Sequence, residues 1–81
     1  MKMEEVTTRM LYKTARYLWE TEKELFDDVC AREYELEIAE ERDEKQRAMQ
    51  RLDDATTDLE HIRVAIACVD AEFTRRVQDD K

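Results

Sequence analysis

Glu40-Glu41-Arg42-Asp43-Glu44-Lys45-Gln46-Arg47 is a run of eight residues without one apolar side chain, and the apolar patterns on its two sides do not share a phase. On its N-terminal side Leu11, Ala15, Leu18, Leu25, Val29, Leu36 and Ala39 recur at alternating spacings of four and three, with Glu22 and Arg32 occupying two further positions of the same seam. On its C-terminal side Ala48, Leu52, Ala55, Leu59, Ile62, Ile66, Val69 and Phe73 keep the same rhythm. That rhythm is the heptad seam of helices packed side by side. The second seam is offset from the first by two residues, so one helix carried through the run would swing its apolar face about 200° out of line. A reversal of chain direction keeps both seams buried against each other.

The rest of the composition agrees with helix throughout. The 81 residues contain no glycine and no proline, the two residues that most strongly end helices and build tight turns. Charged residues make up 44% and hydrophobic residues 42%, a balance that suits long amphipathic helices better than a mixed globular fold. Asp43 followed by Gln46 has the form of a capping box for a second helix, with Glu44 in a first turn favoured by the helix dipole. The expected fold is all-α: residues 1–81 form one domain, an antiparallel helical hairpin with coiled-coil-like packing. Its helices run from about residue 4 to 40 and from about 44 to 78, with a turn at about 41–43. Two competing architectures satisfy much of the same periodicity: one unbroken rod that dimerises, and a three-helix arrangement broken near Thr56 and Thr57.

A chain this short buries little surface as a monomer, so self-association is expected, two hairpins pairing into a four-helix bundle. Tyr12, Trp19 and Phe26 form a column that widens the first seam. A second apolar row, Met3, Val6, Met10 and Tyr17, lies roughly opposite that seam. In the second helix the segment from Ile62 to Val69 holds one charge, Arg63, and is apolar nearly all round. Folding about residue 43 brings Ile66 level with Glu20, which places these segments together at the open end of the hairpin. Met3, Val6, Met10, Tyr17, Val64 and Cys68 are therefore the expected protein interface.

The charge is as uneven as the apolar pattern. Residues 20–44 hold twelve acids and three bases, a balance of −9, whereas the other 56 residues hold ten acids and eleven bases. Within the block Glu33, Glu37 and Glu41 are spaced as one column of a continuous helix, with Glu40 and Glu44 beside them, and these five form the expected acidic patch. Glu5–Arg9, Asp28–Arg32, Glu41–Lys45, Asp43–Arg47 and Glu72–Arg76 are spaced as ordinary supporting pairs.

Several chemistries lack a basis in these residues. The one histidine, His61, has Asp58 and Asp54 at helical spacing, but all three lie off the seam, where bundle metals are not gripped, and no metal site is expected. Cys30 and Cys68 are far apart, with no C-x-x-C spacing and no histidine neighbour, and read as free thiols of a reducing compartment. Glycine-rich phosphate loops need glycine. No cofactor is expected and no enzymatic constellation is present. A net charge of −8 with dispersed Arg and Lys argues against direct nucleic-acid binding, and no stretch has the length and apolarity of a membrane span or a signal peptide. The expectation is a cytoplasmic, non-enzymatic interaction module, an adaptor, chaperone or regulator, that forms a homodimer and docks a helical protein partner through its apolar end. The alternative is an acidic inhibitor, of the kind phages encode against host defence, whose carboxylates imitate a nucleic-acid backbone in the basic groove of a DNA- or RNA-binding protein.

Overall fold

The computed structural model describes residues 5–79, and within them the chain is a hairpin of two helices, α1 from Thr8 to Ile38 and α2 from Arg42 to Asp79. Helix α2 passes through Thr56 and Thr57 without a break, and the chain reverses between the helices, so neither the three-helix arrangement nor the rod is formed. The connection is Ala39, Glu40 and Glu41. It turns without glycine because no left-handed residue is required: Ala39 steps into extended backbone at φ −66° and ψ 129°. Its N–H still donates to the carbonyls of Glu35 and Leu36, at 3.1 and 3.3 Å, which satisfies acceptors at the end of the helix.

The helix ends differ from the expected ones by a few residues each. Helix α1 starts at Thr8 rather than near residue 4, because Thr7 is its N-cap: the Thr7 Oγ1 accepts from the Met10 N–H at 3.2 Å. Helix α2 starts at Arg42, with Lys45 N–H donating to the Glu41 carbonyl at 2.9 Å. Asp43 is thus inside the first turn and not the cap. It and Glu44 lie where the positive end of the helix dipole favours acids, and in the Asp43–Arg47 pair Arg47 Nε donates to the Asp43 carbonyl.

The two seams meet as the heptads require. Leu11, Ala15, Leu18 and Val69 form one buried cluster, with Val6, Ile62, Ala65, Ile66 and Phe73 packed on it. Val29, Ala55 and Leu59 form a second, flanked by Leu25 and Leu52. Between them the seam position of Glu22 is bridged by Arg63 at 3.8 Å, while on the turn side of the second cluster Arg32 turns to Asp28 at 3.4 Å and Glu35 at 2.9 Å. The polar interruption at Glu22 therefore divides the core in two. Tyr12 against Phe73, Glu22 against Arg63 and Glu35 against Arg51 fix the register, residue n of α1 standing level with residue ~85−n of α2.

The hairpin measures 59 × 18 × 18 Å, with a radius of gyration of 17.6 Å where a compact domain of this length would have about 12 Å. Its accessible surface is 6674 Å², about 1,500 Å² more than the area expected for a compact monomer of the same mass. Two helices bury one stripe each, and the rest of their apolar surface faces outward.

Candidate functional site

Four of the expected interface residues stand on the outside of the open end. Met10 and Tyr17, seven residues apart and so on one face of α1, are 45% and 67% exposed. On α2, Val64 is 63% exposed and Cys68 is exposed as a free thiol. By the register of the hairpin Tyr17 is level with Cys68, so the two helices present these side chains at one height. Val6 is different. It precedes the first turn of α1, escapes the helical phase that would carry it outward, and packs half-buried on the first core cluster. Met3 lies outside the described residues.

A second apolar feature is larger than its sequence spacing suggested. Tyr12, Trp19 and Phe26 flank the seam, yet they are far from buried: Trp19 and Phe26 are half exposed and Tyr12 more so. Tyr12 alone has an aromatic neighbour, the ring of Phe73 edge-on at 5.1 Å. Tyr12, Lys13, Arg16 and Trp19 line an open notch of about 480 Å³ between the rings. This aromatic row and the Met10–Tyr17 row are about 160° apart around α1, since two residues separate their members.

The five acids of the expected patch do not form one column. Helix α1 ends at Ile38, so Glu33 and Glu37 are on α1, Glu40 and Glu41 are in the connection, and Glu44 opens α2. All five are exposed. Folding the chain adds α2 to the acidic end: residues 24–61 hold fourteen acids and five bases, net −9, and the remaining 43 residues hold eight acids and nine bases. A shallow groove of about 400 Å³ sits there, lined by Glu35, Ile38, Ala39, Glu44, Arg47, Ala48 and Arg51.

The open end carries a polar cluster whose weight spacing alone did not reveal. Glu72, expected as an ordinary surface partner of Arg76, is buried at 9% exposure. Its carboxylate accepts from Arg75 Nη2 at 2.6 Å, Arg75 Nε at 3.0 Å and Arg76 Nε at 2.9 Å. Arg76 goes on to donate to the Thr8 hydroxyl at 3.1 Å and to the Val6 carbonyl. The cluster ties the last turns of α2 to the residues that open α1. Hydrogen bonds from Arg75, then from Arg76, hold the Glu72 carboxyl at about 2, below its ordinary 4.5, against the desolvation that pushes the other way. The antiparallel register is what brings Thr8 and Val6 within reach, and a sequence read one helix at a time cannot see it.

His61, Asp54 and Asp58 are exposed on α2, and Asp54 accepts from Gln50 at 3.4 Å. Among the described residues no helix is long and apolar enough to cross a membrane. The chain matches no protein-family model, no curated protein and no solved structure.

Proposed function

We propose that the chain is a small, cytoplasmic, non-enzymatic protein-interaction module, an adaptor, chaperone or regulator, that pairs with itself into a four-helix bundle and docks a helical protein at its open end. The observation that carries this reading is the mismatch between core and surface. Among the described residues eight hydrophobic ones are buried, three of them alanines, while ten large hydrophobic side chains stand 45% exposed or more. Exposed apolar side chains set in rows, as Met10 with Tyr17 and Tyr12 with Trp19 and Phe26 are, mark interaction sites. Met10, Tyr17, Val64 and Cys68 supply the heptad-spaced and four-spaced anchors that an amphipathic helix lays its own apolar face against. The test is capture of the native partner by the full chain from its host. Met10→Ala with Tyr17→Ala should lose the partner, whereas raising salt from about 50 to about 500 mM should leave it bound, because apolar docking is insensitive to screening. Retention by the double variant removes the open-end site.

The segregation of charge favours one second reading, an acidic inhibitor that occupies the basic groove of a nucleic-acid-binding protein. Its carboxylates would be Glu33, Glu37, Glu40, Glu41 and Glu44, exposed together at the turn. It predicts the opposite salt response, with competition by duplex DNA or RNA and loss of binding when Glu33, Glu37 and Glu41 are reversed to lysine.

A further inference from the structure

We infer that the occupant of the Tyr12–Trp19–Phe26 face is a second copy of this chain, laid antiparallel so that the open end of each hairpin covers the turn end of the other. The inference rests on the self-pairing proposed above and adds the face and the direction. Two columns on α1 carry it. The aromatic column Tyr12, Trp19, Phe26 continues by its own seven-residue step to Glu33, and beside it Arg9, Arg16 and Lys23 continue through Cys30 to Glu37. All nine residues are exposed. One face of one helix is thus aromatic and basic toward the open end and acidic toward the turn.

A two-fold pairing of two hairpins face to face has two solutions. With the axis along the helices, turn meets turn and α1 lies on α2 of the copy, which sets two ends of net −9 side by side. With the axis across the helices, α1 lies antiparallel on α1 of the copy and unlike charges meet. An axis near Thr21 puts Phe26 of the second copy level with the notch between Tyr12 and Trp19. The same axis puts Arg9 level with Glu33 of the second copy and one turn from its Glu37. Arg16 is held only by an exposed pair with Glu20 at 3.3 Å, which does little to keep it from a new partner. The area is also sufficient. A standard interface hides about 800 Å² on each partner, roughly half of the surface that this chain exposes beyond a compact monomer.

The experiment is sedimentation equilibrium of the full chain up to about 100 μM, read together with Trp19 emission and a spin-label distance. A dimer is expected, and the emission of Trp19, the one tryptophan, should move to shorter wavelength as it forms. Labels at position 37 in the Glu37→Cys, Cys30→Ser, Cys68→Ser variant should lie about 45–50 Å apart, sixteen residues of helix on each side of the axis. Arg9→Glu with Arg16→Glu should weaken the dimer at least tenfold, and mixing with the Glu33→Lys, Glu37→Lys variant should restore pairing as a heterodimer. A monomer at the highest concentration overturns the inference while leaving helical-partner docking at Met10 and Tyr17 to its own test. A label separation under about 20 Å overturns the direction, because it brings the turns together. A dimer indifferent to Trp19→Glu places the interface on another face and overturns the assignment.

Discussion

The open half and the turn half of the hairpin are built from the same heptad pattern and are held in different ways. At the open end Leu11, Ala15, Leu18 and Val69 are buried together with five partly buried hydrophobics around them, and Glu72, Arg75 and Arg76 fasten the helix ends to each other. Toward the turn the second cluster has Val29, Ala55 and Leu59 with only Leu25 and Leu52 beside them, and Ala48 is the last buried residue before the connection. Two of the acids of this net −9 half, Glu33 and Glu37, occupy positions of α1 whose seven-residue equivalents at the open end are aromatic or basic. A seam is therefore only as strong as the side chains flanking it. Where the flanks are apolar they thicken the core and leave a surface for a partner; where they are acidic they leave the seam thin and self-repelling.

The largest expected effect tests that contrast in the core. Leu18→Ala should cost about 3 kcal/mol, the usual loss for truncating a packed leucine. Leu52→Ala, at a half-buried position of the turn half, should cost nearer 1 to 2 kcal/mol, because part of its surface already meets water. Chemical denaturation of both variants compares them directly. Equal losses would mean that the two halves unfold as one equally packed unit and would break the contrast.

A smaller effect separates the halves by pH. Glu72 has a folded-state pKa lowered from 4.5 to about 2, so the stability it contributes is fully present above 4.5 and is lost as the pH falls toward 2. Glu72→Gln removes that contribution. The melting temperature of the variant should lie below that of the wild type at neutral pH, and the gap should close between pH 4.5 and about 2. A constant gap over that window would show that the glutamine fails through packing rather than through the lost charge. Thermal melts followed by circular dichroism at stepped pH give the answer.

What could be read in advance follows the same division between local pattern and long-range register. Both seams, the polar run and the reversal were legible because spacing alone dictates them: every seam residue from Leu11 to Phe73 other than the polar interruptions is buried or half-buried. The helix ends were not. Thr7 is followed three residues on by Met10, so no capping-box signature flags it, while Asp43 and Gln46 display the signature and lie inside the helix. Glu72–Arg76 has the same spacing as Asp28–Arg32, and only the level of Val6 and Thr8 across the hairpin makes the former a buried tie. Of the candidate site, Met10, Tyr17, Val64 and Cys68 were legible as apolar residues off the seam. The half-exposed state of Trp19 and Phe26 was not, because a flanking column is covered in a larger bundle and uncovered in two helices.

The smallest effect concerns the two helix starts, one in each half. Thr7 accepts a backbone N–H at the start of α1, and replacing it by alanine leaves that donor without its partner, a loss of about 1 kcal/mol. Asp43 makes no such contact. In the first turn of α2 it interacts with the helix dipole alone, and at an exposed site that is worth about 0.3–0.5 kcal/mol. Its charge also stands among the like charges of the turn half, where removing one acid relieves repulsion and offsets part of the loss. Asp43→Ala should therefore change stability by a few tenths of a kcal/mol at most, and added salt, which screens dipole and repulsion alike, should bring it closer to zero. Paired denaturation curves of Thr7→Ala and Asp43→Ala at low and high salt measure the difference. A loss of about 1 kcal/mol for Asp43→Ala that persists in high salt would make it a true cap, moving the start of α2 back to residue 44 and restoring the capping box with Gln46.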